Sequence, residues 1–489
     1  MARMSLATSH TLPFDRRTVW AWHTRPGAVE RLTPPFVPMH VLEQADSLAD
    51  GMTRFALPAG LKWDARHDLS GFVDGRTFTD VCVSAPLKAL ATWRHVHTFH
   101  DVSTAEQPAT RITDRVTTRL PGKAMHSMFA YRQHQLLEDL QALSRAEGYA
   151  GAEYRVGGSP QAPIRRLVVA VTGAGGTVGR ALVAQLGTAG HSVVLLSRDP
   201  AVAHENVGAA EDRPQQAAMD GRPTVARRYW DPQHPDPSLL DGVDVLVHLA
   251  GEPLLGRFNA DHTAAIYDSR VGPTRALAEL AATSPTCRTM VVASAIGFYG
   301  HDRGEEELTE SSSTGSGFLA EVCRDWEAAC APAIDAGVRV VNVRTGIVLS
   351  GRGGVLPVLK VLFSAALGGQ FGDGSAWFSW IALDDLTDIY LRAILDPTLS
   401  GPINAVSPTP VRNREMVKAL AKELKRPAVI PIPALGPKLL LGDQGAQELA
   451  LANQKVLPAA LGQHHFRYTT IAQALAHELG GENLFEEPK

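Results

Sequence analysis

The sequence is short of cysteine, with Cys82, Cys287, Cys323 and Cys330 the only four in 489 residues. They show neither a disulfide framework nor metal-ligand spacing, and Cys323 and Cys330 fall on one expected helix as core residues. No apolar run is long enough to span a membrane, and the opening MARMSLATSH lacks the apolar core of a signal peptide. Charge of one sign is scarce too: a formal net charge of -4 gives no support for nucleic-acid binding. No internal repeat is apparent. These absences leave a cytoplasmic protein with no membrane and no nucleic-acid partner as the expectation. What is present, 45% hydrophobic and 20% charged residues, suits a soluble globular chain of two or three domains.

The most informative stretch is RRLVVAVTGAGGTVGRALVAQLGTAGHSVVLLSRDP, from Arg165 to Pro200. Leu167 to Val171 read as a buried strand, Val178 to Leu186 carry apolar residues at helical spacing, and Ser192 to Leu196 read as a second strand. Gly190 stands where the helix should stop. Thr172 precedes the pattern Gly173-x-x-Gly176-x-x-Gly179 in the turn between strand and helix. Gly173 permits a tight reversal, Gly176 leaves the backbone bare for a phosphate, and Gly179 lets the helix approach the sheet. Free N–H groups and the positive end of the helix dipole then face a pyrophosphate. Beyond the second strand, where an NAD site places an acid for the ribose 2′-OH, this chain has Ser197 and Arg198. A guanidinium suits a 2′-phosphate, so NADP(H) is expected over NAD(H). The competing reading of Arg198 is a solvated surface charge.

Residues 1–150 read as one unit. Thr11 to Phe14 begin it and Asp15 to Leu32 read as a helix. Strand-like runs follow at Val37–Leu42, Gly51–Ala56, Trp63–Phe72, Arg76–Val83, Ala91–His100 and Arg111–Arg119, then a long amphipathic helix from Lys123 to Ala146. The phrases HTLPFDRRTVWAWHTRPGAVERLTPPF, WRHVHTFH and FAYRQHQLLEDL resemble the START-like, or polyketide-cyclase-like, ligand-binding superfamily. That resemblance implies an α+β helix-grip fold with an apolar cavity, and so an apolar ligand for this domain. His95 and His97 alternate with Val96 on one strand face. The spacing suits a metal pair, but a polar, solvated face is the commoner outcome, and no metal site is expected.

Residues 151–164 are rich in Gly and Pro and read as a linker. Residues 165–400 continue the strand–helix alternation, with strands expected at Val225–Trp230, Val243–Ala250, Thr289–Ala293 and Val338–Val343. Helices are expected at Asp261–Ala282 and Gly317–Ala336, and Ala201 to Arg222 reads as a surface loop. The fold class is therefore α/β: a Rossmann doubly wound parallel sheet behind the α+β domain. Ligands of such sheets sit beyond the strand C-termini, where Gly173, Arg198, Ala250, Ser294 and Arg344 fall.

Residues from Leu167 to about Leu479 resemble the extended short-chain dehydrogenase/reductase superfamily, and within it the epimerase-like family. The shared phrases are VTGAGGTVGR, HLAGEP, SRVGPTRAL, SAIGFYG, VRTGIVLS, WIALDDL and INAVSPTPVRN. The segments AKELKRPAVIPIPALGPKLLLG and NQKVLPAALGQHHFRY resemble the small domain that ends that family, giving 401–489 as cleft and C-terminal domain. The resemblance implies a cofactor site of Thr172, Gly173, Gly175, Gly176, Thr177, Val178, Gly179, Ser197, Arg198, Leu249, Ala250, Gly251, Glu252 and Arg270. It places Arg344, Gly346 and Trp380 at the substrate cleft, with Arg344 either pairing an anionic group or bracing its loop. Asp384 and Asp385 read as anchors, a carboxylate capping the next helix. Arg352, Phe378 and Asn404 also fall near the cleft.

The superfamily's chemistry uses a Tyr and a Lys four residues on, with a Ser on the preceding strand. Ser294 matches the Ser. If Glu327 aligns with the acid four residues past the Lys, then Leu319 and Cys323 hold the other two positions, and neither moves a proton usefully there. Tyr299 is the nearest substitute, so Ser294 and Tyr299 are the candidate catalytic residues, against a reading of Tyr299 as pocket wall only. Two functions follow. One is an NADP(H)-dependent oxidoreductase or epimerase acting on a small molecule. The other is a non-catalytic NADP(H)-binding sensor with a lipid-like ligand in the first domain.

Overall fold

Seven antiparallel strands form the first sheet, in the order β1-β7-β6-β5-β4-β3-β2. They are β1 (Met4–Leu12), β2 (His40–Glu43), β3 (Met52–Ala56), β4 (Lys62–His67), β5 (Thr77–Cys82), β6 (Arg94–Asp101) and β7 (Thr110–Thr118). The computed structural model describes residues 4–120, 123–201, 223–428, 432 and 435–481. The chain divides into two compact units, the first centred on residues 4–144 and the second on residues 145–479. The first unit opens with a strand rather than a helix, because β1 pairs along its whole length with β7. Helix α1 (Arg16–Thr24) starts at Asp15, whose carboxylate accepts the Thr18 amide at 3.0 Å. The helix expected through Leu32 breaks at Pro26 and Gly27. Arg25 is extended, as a residue before proline prefers, and Gly27 has φ +91°. Helix α2 (Lys123–Tyr149) closes the unit.

Alternation places the apolar face of this sheet under α1 and α2. Trp20, Trp22, Phe78, Phe99, Ile112 and Leu136 form the core. A cavity of about 340 Å³ remains between β4–β6 and the side chains of Met125, Phe129 and Arg132 from α2. The strand expected from Trp63 to Phe72 stops at His67, because Asp68 draws the Ser70 amide into a 3₁₀ turn. His95 and His97, expected on a solvated face, are instead buried at the cavity wall.

The second unit is built on seven parallel strands: β8 (Val168–Thr172), β9 (Ser192–Ser197), β10 (Val225–Tyr229), β11 (Val245–His248), β12 (Thr289–Ala295), β13 (Arg339–Thr345) and β14 (Gly401–Ala405). Their order is β10-β9-β8-β11-β12-β13-β14, a doubly wound sheet whose direction of winding reverses between β8 and β11. The central strands read as continuous Val, Ala and Met because helices cover both faces. Val194, Leu246, Met290, Val340 and Trp326 pack together in one core layer. The helices used below are α3 (Thr177–Thr188), α4 (Val271–Thr283), α5 (Phe318–Ala328), α6 (Leu383–Leu395), α7 (Asn413–Leu424) and α8 (Ile471–Leu479).

Two expected helices are shorter than read. The first divides into Ala260–Asp268 and α4, and the second into α5 and Ala331–Asp335, where Pro332 lacks an amide to continue the ladder. The stretch read as a linker, 151–164, folds into two 3₁₀ turns. Tyr154 there is buried, with its hydroxyl 2.6 Å from Thr289 Oγ1. The loop read at 201–222 lies, past Ala201, outside the described residues. No described helix is long and apolar enough to cross a membrane.

Candidate functional site

The turn from β8 into α3 is a cradle shaped by what a side chain would strike. Gly173 sits at φ +67°, and a Cβ there would lie 2.7 Å from the Leu249 carbonyl carbon. At Gly179 a Cβ would collide with the carbonyl oxygen of Gly173, so only glycine brings α3 this close to β8. Gly176 donates its amide to the Gly173 carbonyl at 3.0 Å, closing the turn, and Gly175 faces open space. The first amides of α3, from Thr177 and Val178, have no partner within the helix and present a positive end.

The crevice beside the cradle is held by Thr172. Its hydroxyl lies 2.7 Å from His248 Nδ1 and accepts the amides of Leu249 and Ala250 at 3.0 and 3.2 Å. These bonds tie the ends of β8 and β11 together where the winding reverses. Burial drives the His248 imidazole down to about 3, so it stays neutral. Arg270 supports the next loop, donating to the Glu252 carbonyl at 2.9 Å with its guanidinium against Gly251. At the end of β9, Ser197 accepts the Asp199 amide at 3.2 Å. Arg198 is exposed and makes no ion pair with a described residue. These residues fit a dinucleotide: a bare-backbone turn, a helix start and an exposed guanidinium one strand away.

The candidate catalytic pair, Ser294 and Tyr299, is buried. Strand register aligns Ser294, Arg344 and Asn404 in one row across β12, β13 and β14. Glu327 of α5 lies against that row. It accepts Arg344 Nε and Nη2, each at 2.8 Å, and the Ser294 hydroxyl at 2.7 Å. Arg344 Nη1 donates to the Tyr299 hydroxyl at 3.0 Å, and that hydroxyl donates to Asn404 Oδ1 at 2.7 Å. The guanidinium also stacks 3.5 Å from the Phe298 ring centroid. Both hydroxyls, of Ser294 and of Tyr299, are held in this buried network. Burial lifts the Tyr299 phenol above its ordinary value despite the Arg344 charge beside it. Arg344 is braced by its ion pair with Glu327.

Gly346 and Trp380 have packing roles as well. A Cβ at Gly346 would lie 2.8 Å from the Ser379 carbonyl oxygen. Trp380 is fully buried in the core with its indole N–H on the Thr409 carbonyl at 3.0 Å. Asp384 and Asp385 do not cap their own helix. Asp385 accepts the Arg467 amide at 2.6 Å and Asp384 lies 3.1 Å from His477 Nε2, so both fasten the C-terminal segment.

Leu319 and Cys323 occupy the helix positions read for the proton relay, and both are buried against Gly297. Burial, with Glu327 nearby, pushes the Cys323 thiol up to about 12. Three contributions were not legible in the sequence. Glu448 accepts the amides of Phe318 and Leu319 at 3.1 and 2.7 Å, capping α5 from far along the chain. Gly353 lies so close to Thr177 that a Cβ would strike its hydroxyl, which brings the loop SGRGG onto the start of α3. Glu478 of α8 holds that loop through the Gly351 amide at 2.6 Å. The glycine-rich loop was the one available signal.

Residues 169–405 match the NAD dependent epimerase/dehydratase family, and residues 432–478 match a domain of unknown function, DUF1731. A Mycobacterium bovis protein named Epimerase family protein Mb2239 is 35% identical over 316 residues, 63% of this chain and 97% of that one. The chain belongs to the NAD dependent epimerase/dehydratase family. An Arabidopsis thaliana family member, the chloroplastic SDR39U1 homolog, is also 35% identical, over 63% of this chain and 86% of its own. A crystal structure described as the nucleoside-diphosphate sugar epimerase from Corynebacterium glutamicum is 55% identical. It covers 97% of this chain and 90% of its own, with a TM-score of 0.79. The human family member SDR39U1, crystallised with NADPH, is 29% identical with a TM-score of 0.55, over 64% of this chain and 99% of its own. The family thus accounts for the cradle, the crevice and the parallel sheet.

Proposed function

We propose that the second unit binds NADP(H) and works as an oxidoreductase or epimerase on a small molecule without a Tyr–Lys proton relay. The observation that carries the cofactor choice is Arg198, exposed at the end of β9 where an acid would serve NAD. The human relative crystallised with NADPH supports the same choice. When bound, the nicotinamide supplies or accepts hydride. Gly173, Gly176, Gly179 and the start of α3 hold the pyrophosphate. Thr172 fixes the crevice, and Ser197 with Arg198 receives the 2′-phosphate. Leu249, Ala250, Gly251 and Glu252 line the far wall, positioned by Arg270. The Glu327–Arg344 network positions α5 against the sheet, and any proton moved in the reaction comes from the substrate or solvent.

The buried state of Ser294 and Tyr299 favours a second reading, a sensor that holds NADP(H) without turnover. The first unit serves either one: we read it as a START-like helix-grip domain taking an apolar, lipid-like ligand in its cavity. The domain limits are 1–150, 165–400 and 401–489 in this reading, and the protein is cytoplasmic. The deciding experiment follows NADPH absorbance when the pure full chain meets a broad carbonyl panel and cell extract. Oxidation that depends on the protein supports the enzyme. An epimerase returns its hydride and consumes no NADPH, so the enzyme reading is contradicted, and the sensor left, by tight NADPH binding with neither oxidation nor, by NMR of the panel, an epimerised product.

A further inference from the structure

The first unit holds a polar cluster inside its apolar cavity. Pairing register sets His95 of β6 opposite Asp80 of β5, and His97 opposite Asp114 of β7. All four side chains are largely withdrawn from solvent, with exposures between 5% and 15%. Nδ1 of His95 and Nε2 of His97 stand 3.4 and 3.3 Å from one oxygen, Oδ2 of Asp80. The opposite ring nitrogens, Nε2 of His95 and Nδ1 of His97, each stand 2.9 Å from Oδ1 of Asp114. Trp93 Nε1 donates to the remaining Asp80 oxygen, Oδ1, at 2.9 Å.

The two contacts to Asp114 have the length of hydrogen bonds from an N–H to a carboxylate. With the ring protons placed there, His95 Nδ1 and His97 Nε2 present lone pairs toward a carboxylate oxygen. Asp80 Oδ2 and these two ring nitrogens repel one another unless a ring proton or a metal cation lies among them. The two Asp80 edges match a coordination polyhedron, since ligands about 2.05 Å from a tetrahedral ion stand about 3.3 Å apart, and all three ligand atoms lie within 4.8 Å of one another. Carboxylate behind histidine, and an indole N–H behind the ligating carboxylate, is how outer groups orient metal ligands. Two imidazoles and one carboxylate suit a divalent transition metal rather than calcium or magnesium.

We propose that Asp80, His95 and His97 bind one divalent transition-metal ion of the zinc or ferrous kind, oriented by Asp114 and Trp93. Three protein ligands leave a coordination position for an oxygen donor, and all three line the 340 Å³ cavity with Phe55 and Met125. The ligand class is then an amphipathic molecule with an oxygen-donor head on the metal and an apolar body in the cavity.

The test uses tag-free full-length protein stripped with a chelator, then titrated with Co²⁺ and Zn²⁺. One equivalent of Co²⁺ should bind with ligand-field absorption bands, and Zn²⁺ should displace it. Asp114→Asn should weaken affinity about 10–100-fold, the usual loss for an outer carboxylate. His97→Gln should abolish the bands while NADPH binding by the second unit persists. X-ray absorption of the wild-type zinc form covers the case of a misfolded variant, since it should show two imidazole ligands. No stoichiometric metal, unaltered binding by a folded His97→Gln variant, or a zinc shell without imidazole would each overturn the proposal.

Discussion

At the scale of single residues, the second unit depends on positions where a side chain is forbidden or a charge is matched. Gly179→Ala drives a methyl into the Gly173 carbonyl and forces α3 away from β8. Overpacking of this kind costs about 1–3 kcal/mol, and dinucleotide affinity should fall with it. Urea unfolding and NADPH titration of the variant measure both losses. Glu327→Gln leaves the buried Arg344 guanidinium without its counter-charge and with one acceptor where it had two. Breaking a buried pair on one side costs about 3–5 kcal/mol, so this variant should be far less stable than Leu319→Met on the same helix. Equal stability of the two in urea would show that Glu327 contributes no more than an ordinary helix residue.

At the scale of elements, α8 and the loop at 350–354 form a pH-sensitive joint. Burial pushes the Glu478 carboxyl up to about 7, against the pull of His477 and the Gly351 amide. The folded chain then binds more protons than the unfolded one between the ordinary glutamate range and pH 7. The stabilisation is complete below the unfolded value, falls as pH rises through that window, and is gone above about 7. Its size is on the order of 3 kcal/mol at most. Unfolding free energies measured from pH 4.5 to 8 should show this fall in the wild type, and Glu478→Gln should flatten it. The joint was hidden in the sequence because its partners lie over a hundred residues apart. The β8–α3–β9 unit was legible for the opposite reason: its strand, turn and helix signals are contiguous, and each glycine has a local steric cause. Ser294 and Tyr299 were found by motif, but their commitment to Glu327, Arg344 and Asn404 follows from strand register, which no local pattern encodes. His95 and His97 were misread for the same reason. Alternation gave their shared face, while the sheet and α2 decided that the face is interior.

At the scale of the whole molecule, two units of different architecture each carry a candidate site. One is a seven-stranded antiparallel sheet with a cavity, the other a seven-stranded parallel sheet with a cofactor cradle. Ligands that bind only the folded state stabilise it by mass action. Saturating NADPH should therefore raise the thermal transition of the second unit, followed by the buried Trp326 and Trp380. Calorimetric titration of the full chain with NADPH and NADH, repeated on Arg198→Ala, tests the central claim most directly. The account predicts that NADPH binds at least about tenfold more tightly than NADH, the worth of a charge-assisted contact to the 2′-phosphate. It predicts that Arg198→Ala removes that preference and leaves NADH affinity unchanged. Equal affinities in the wild type, or a preference that survives the substitution, would contradict it.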